Sequence, residues 1–230
     1  MKSILGKRIL VVTAHPDDES YTAAGTILKN HAAGGTTYVA CATFGEKGKS
    51  HVQRKVTAAE LKRIRKKELL AVSKFLKISK LLMPGLPDAE LGQKSHQDAF
   101  RKKLFPFAAK HRPDLIISFG AYGISGHIDH ISVGKIAQAV AKELKIPFFT
   151  FAAPPELHKS LEQLKKRRKH GKYVQRLKRQ PHDIEIRVNP AKKLKALRLH
   201  KSQHDQEGPM ADFPEKTIRQ VLTREYFSKG

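Results

Sequence analysis

At 230 residues and 40% apolar content, the chain is long enough for one full-sized α/β domain with a single core. Its 45 Lys and Arg against 21 Asp and Glu give a net charge of +24, a field that suits anionic partners or substrates. The basic residues are spread along the chain without an RRM, KH or helix-turn-helix signature, so nucleic-acid binding stands only as an alternative reading. No apolar run reaches the length of a membrane-spanning helix, and the opening residues lack the cleavage site of a signal peptide.

Residues 8–14 (RILVVTA) form a nearly continuous apolar run, which predicts a strand buried on both faces of a parallel sheet. A helical segment follows through LKNHAAGG and stops at Gly34 and Gly35. Residues 36–43 read as the second strand. The only cysteine, Cys41, lies in it; this excludes a disulfide framework and a cysteine-based zinc site and fits a reducing cytoplasm. Residues 44–50 form a glycine- and lysine-rich loop. Leu61, Ile64, Leu69, Val72 and Leu76 then mark a helix over 57–77. A third strand over 78–84, a helix over 96–111, a fourth strand over 114–120, a helix over 131–145 and a strand over 146–151 complete the alternation. This order predicts a three-layer α/β sandwich with a mostly parallel sheet and helices on both faces.

Beyond residue 153 the pattern weakens. Pro154 and Pro155 break the chain, and the stretch 161–180 carries nine Lys or Arg and one acid, a basic excursion of unassigned role. A strand over 183–188, a helix over 190–203 and a last helix over 215–227 are expected. Without a repeat or linker, residues 1–230 read as one domain.

Two motifs carry the chemistry. AHPDDE, Ala14 to Glu19, follows the first strand directly, and the carboxyl ends of parallel strands face the ligand crevice. His15 and Asp18, three residues apart, can project from one side of a turn and are standard zinc donors. Asp17 lies between them, where it could face the attacking water. Helix capping accounts for one such aspartate but not for the whole motif. GHIDH, Gly126 to His130, follows the fourth strand and places His127 and His130 three apart around Asp129. Spacing alone leaves these two histidines interchangeable as a third donor. Two imidazoles, one carboxylate and a position for water define a catalytic zinc centre, and the same triad would hold Fe(II). A third feature is the loop Gly45–Gly48 with Arg65 and Glu68 on the next helix; the planar Arg65 fork could hold hydroxyls or an anion. A dinucleotide site is excluded, because acids stand where a glycine-rich phosphate loop would be needed.

With these motifs the chain resembles the LmbE-like, or PIG-L, family of zinc-dependent N-acetylglucosaminyl deacetylases. Besides AHPDDE and HIDH, the resemblance includes TFGEKG at 43–48, RIRKKEL at 63–69, LPDAEL at 86–91 and KALRLHKSQ at 195–203, in family order. It implies a Rossmann-like sandwich and zinc on His15, Asp18 and His130. It further implies Asp17 as general base, His127 as the group that stabilises the oxyanion and protonates the amine, and Asp129 as the residue orienting His127. Arg65 and Asp88 would contact sugar hydroxyls. The implied partner is an acetylated amino sugar, and the positive charge favours an anionic aglycone. An amidase acting on another N-acyl group would use the same residues. A basic nucleic-acid-binding protein with a non-catalytic metal site stands only as an alternative behind an enzyme. Where some family members carry a tyrosine just before HxDH, this chain has Ser125 two residues before His127, with Tyr122 earlier.

Overall fold

Apolar runs set the middle of the sheet. The computed structural model describes residues 4–157, 159–160, 181–204, 210 and 213–230; the basic stretch 161–180 lies outside the described residues. Seven strands make one sheet: β1 (Arg8–Thr13), β2 (Thr36–Cys41), β3 (Lys80–Leu82), β4 (Leu115–Phe119), β5 (Phe148–Ala152), β6 (Ile184–Arg187) and β7 (Arg224–Lys229). Their spatial order is β3-β2-β1-β4-β5-β7-β6. The first five run parallel, with Val11 in register between Val39 and Ile117. β7 is antiparallel to both β5 and β6.

Helices cover both faces. α4 (Lys94–His111) and α6 (Ile128–Glu143) pack together, and α6 lies over β1, β4 and β5. The other layer holds α1 (Asp18–Thr22), α2 (Ala24–Ala32), α3 (Ala58–Phe75), α7 (Pro190–Leu199) and α8 (Glu215–Thr223). A single turn, α5 (Gly123–Gly126), joins β4 to α6. The predicted three-layer sandwich is the observed one. Between them the layers bury β1 except at Arg8, and all of β4 and β5, which is why those segments are apolar without alternation. No helix among the described residues is long and apolar enough to cross a membrane.

Three boundaries differ from the sequence expectation. The helix expected through Gly35 begins at Asp18 and is broken at Ala23, whose ψ of 1° is not helical. The helix expected over 190–203 ends at Leu199, and a 3-10 turn, Lys201–Gln203, follows His200. The segment 215–227 is not one helix. It turns at Arg224 (φ −144°, ψ 147°) into β7, which inserts between β5 and β6 and satisfies its backbone on both edges.

Strand order reverses between β1 and β4. Such a switch point opens a crevice at the strands' carboxyl ends, and AHPDDE and GHIDH leave the sheet there.

Candidate active site

The turn after β1 is strained and clamped. Asp17 has φ 113° and ψ −28°, a left-handed conformation costly for any residue with a Cβ. Both ends of the Pro16–Asp17 peptide are held by buried charge. The Arg65 guanidinium donates a short hydrogen bond to the Pro16 carbonyl, and the Glu19 carboxylate accepts from the Asp17 N–H at 3.1 Å. Glu19 is fully buried and also accepts from Ser20 Oγ at 2.7 Å and from His200 Nε2 at 2.8 Å. Burial alone would lower the His200 pKa, but Glu19 reverses the sign and raises it. Arg65 Nη1 donates to the Gly45 carbonyl at 2.9 Å. A Cβ on Gly45 would sit 2.0 Å from that nitrogen, so only glycine, which also adopts the φ of 64°, fits there.

Three donors converge beside this turn. Asp18 Oδ2 is held by the backbone N–H groups of Ala14 (3.1 Å) and His15 (2.8 Å). Its Oδ1 lies 3.3 Å from His130 Nε2. The His130 ring stacks on Phe119 and has Nδ1 bonded to the Gly123 carbonyl at 2.9 Å, which leaves Nε2 as the acceptor nitrogen. His15 Nε2 faces two carboxylates, Asp88 at 3.1 Å and Asp129 at 3.2 Å, which leaves Nδ1 as its acceptor. His15 Nδ1 and His130 Nε2 then stand 3.2 Å apart. Two ring nitrogens in this position can share a proton or bind a cation between them. Donors on a tetrahedral ion at about 2.0–2.1 Å lie about 3.3 Å apart, so the set His15, Asp18 and His130 fits a divalent metal.

The charges agree with that fit. Burial pushes the His15 pKa down, yet the carboxylates of Asp129, Asp88 and Asp18 overcome it and raise it to about 10. Burial favours a neutral Asp18, but His130 and His15 hold its carboxyl below the ordinary range. The carboxylates around His15 and His130 thus favour positive charge at this point of the pocket. Asp17, one-fifth exposed at the crevice, is lifted to about 6 by burial, against the pull of Arg65 at 3.4 Å.

Several expected roles change. Arg65 is only 3% exposed and holds Pro16, Gly45 and Asp17, so it shapes the turn while also lining the crevice. Asp88 is buried against His15 and accepts from the Lys47 N–H at 2.8 Å. Asp129 was expected to orient His127. Its carboxylate instead accepts from the Ala89 (2.8 Å) and Leu91 (3.0 Å) N–H groups and meets His15. Asp88 and Asp129 therefore fix the orientation of the His15 imidazole. His127 is the N-cap of α6, its Nδ1 accepting from the Asp129 N–H at 3.2 Å, which leaves Nε2 as the nitrogen that carries a proton. A resting imidazolium is disfavoured at His127: burial and the neighbouring His15 and His130 lower its pKa to about 4. Sequence reasoning missed Glu19 and His200, and also Tyr21, which lines the crevice where Tyr122 was considered. The only signals for Glu19 and His200 were their places in AHPDDE and in the 195–203 segment.

The fold is shared with enzymes of more than one reaction. A Pyrococcus horikoshii N,N'-diacetylchitobiose deacetylase superposes with a TM-score of 0.69 at 21% identity, over 96% of this chain and 82% of that one. A 4-carboxy-2-hydroxymuconate hydratase from Pseudomonas putida superposes with a TM-score of 0.64 at 20% identity, over 94% and 82%. Fold alone therefore defines the class and not the reaction. Sequence goes further. A probable N-acetyl-alpha-D-glucosaminyl L-malate deacetylase 2 from Bacillus anthracis is 32% identical over 202 residues, 86% of this chain and 81% of that protein. The profile of the PIG-L family, described as GlcNAc-PI de-N-acetylase, matches residues 10–141, and the chain belongs to that family.

Proposed function

We propose that this chain is a metal-dependent hydrolase that removes the N-acetyl group from an N-acetylglucosamine-type substrate, and that residues 1–230 form one catalytic domain. The observation that carries the metal reading is the 3.2 Å approach of His15 Nδ1 to His130 Nε2 beside Asp18. We take zinc as the ion, since two imidazoles and one carboxylate are a zinc donor set; Fe(II) would use the same one. When bound, such an ion supplies Lewis acidity to the acetyl carbonyl and to water.

The chain's own residues do the rest. Asp17, fixed by the Arg65–Glu19 clamp, accepts the proton of the attacking water. His127 presents its Nε2–H to the developing oxyanion, a donor fixed by the α6 cap before the charge forms. The proton gained by Asp17 is then available to the departing amine. Asp88 and Asp129 hold His15 in the tautomer that keeps Nδ1 free to bind the metal. A cytoplasmic setting suits the buried, unpaired Cys41.

The test is metal analysis of the purified protein, combined with acetate release from a panel of N-acetylated amino sugars. Acetate release that disappears on chelation and returns with zinc supports the reading. A metal-replete protein inert on the whole panel would remove it.

A further inference from the structure

The donor cluster borders two cavities of different character. The crevice described above is walled by Asp17, Lys47, Gly48, Arg65, Asp88 and His127. The second, a chamber of 360 Å³, reaches the same Asp18 and His130 past Tyr21 and Gln203. Its walls include Phe119, Ile124, Leu157, Phe213 and Val221. Apart from Phe119, on which His130 stacks, the deacetylase chemistry uses none of these walls.

We propose that this chamber binds an uncharged aliphatic or aromatic group carried by the substrate next to the scissile amide. The inference rests on the deacetylase reading. Size is the first argument. An apolar cavity of about 150 Å³ holds a benzene. The chamber is more than twice that, far beyond an acetyl methyl, and suits roughly a dozen non-hydrogen atoms. Charge is the second. Although the chain carries +24, the lysine and the arginine that border the chamber among the described residues are both paired within the protein. Lys193 Nζ lies 2.8 Å from Glu225 Oε1, each side chain 1% exposed, and Arg224 Nε lies 2.9 Å from Glu185 Oε1. An anionic aglycone would meet cations already countered by carboxylates, whereas an apolar group leaves the pairs undisturbed. Continuity is the third argument, because a substrate whose amide lies at Asp18 and His130 is already at the chamber mouth.

The apolar group could hang from the sugar as an aglycone or extend the acyl chain, and two substrate series separate these sources. One carries methyl to hexyl and phenyl aglycones on N-acetylglucosamine; the other lengthens the N-acyl group of glucosamine from acetyl to octanoyl. Amine release gives kcat/KM. Calorimetry with methyl and hexyl glucosides, and with an N-hexyl sulfonamide of glucosamine, gives affinity without turnover.

We expect kcat/KM to rise in one series by up to fourfold per methylene until the chamber is full, with affinity rising in parallel. Ala153→Phe, on the half-buried chamber wall, should abolish the rise while metal content and turnover of the methyl N-acetylglucosaminide stay unchanged. Leu157→Asp should do the same by charge, which covers a folding failure of the first variant. Turnover of the methyl compound with no length dependence in either series, or a length dependence that survives both variants, overturns the chamber inference and leaves the deacetylase reading standing. No cleavage of any amide, but tighter binding of the hexyl probes that is lost in Ala153→Phe, overturns the deacetylase reading alone.

Discussion

The parallel half of the sheet and its antiparallel extension solve different problems with buried charge. In the parallel half, residues 4–152, charged side chains crowd one crevice, where His15, Asp17, Asp18, Asp88, Asp129 and His130 leave a surplus of negative charge. Among the described residues of the extension, 181–230, buried charges are paired. Glu225 accepts from the Gly25 (2.9 Å) and Thr26 (2.7 Å) N–H groups while paired to Lys193, which ties β7 to α2 and α7. The match to the family profile ends at residue 141, within the parallel half. Uncompensated charge marks the proposed reaction centre, and compensated charge marks the scaffold that walls the chamber beside it.

That contrast breaks most sharply at the donors. His15→Ala or His130→Ala should lose the metal outright, with deacetylation at background, as read by plasma emission after gel filtration. Full metal occupancy in either variant would show that the convergence of nitrogens is structural only. Asp17→Asn should keep the metal and lose about 10²- to 10⁴-fold in kcat, because the amide cannot accept the water's proton. Unchanged kcat would take Asp17 out of the base role and leave its strained φ without a chemical reason.

The same contrast decides what could be read from sequence. β1, β4 and β5 were legible because strands covered on both faces are apolar throughout. The grouping of His15 and Asp18 with GHIDH was legible because both motifs sit at strand ends that face one crevice. The partners of His15 were not, since Asp88 and Asp129 reach it only once β3 and β4 have delivered their loops. Arg65 reads as a sugar contact in sequence; its hold on two backbone carbonyls was not legible, because those carbonyls carry no sequence signal. β7 was hidden for a related reason: REYFSK has no period-2 alternation, and its Glu225 looks like a surface acid until α2 and Lys193 close over it. Buried polar anchors resemble solvent-facing residues until the fold is known.

In the extension the expected lesion is one of stability. Glu225→Ala would strand Lys193 and two backbone N–H groups in the interior and should cost about 3–5 kcal/mol by urea unfolding. Lys193→Met, which keeps the packing and leaves Glu225 its two N–H donors, should cost less. Metal content of the folded protein should hold in both variants. Loss of metal from either at full folding would erase the division between reaction centre and scaffold.

The smallest effect belongs to the surface of the parallel half, where charge is neither buried nor reactive. Thr57 and Glu60 form a capping box at the start of α3, the helix that carries Arg65. The Thr57 N–H donates to Glu60 at 2.8 Å and, with Arg54 and the Thr57 hydroxyl, depresses its carboxyl to about 2. A folded-state pKa below the unfolded value stabilises the protein at pH above the unfolded pKa, and that contribution is lost as pH falls through the folded one. For Glu60 the window runs from about 4.5 down to about 2. Wild type should therefore exceed Glu60→Gln in urea midpoint at pH 6, and the gap should narrow by pH 3 and shrink with added salt. A gap that is constant with pH would mean that the cap works through its hydrogen bonds alone, and that charge matters in this half only where the metal donors meet.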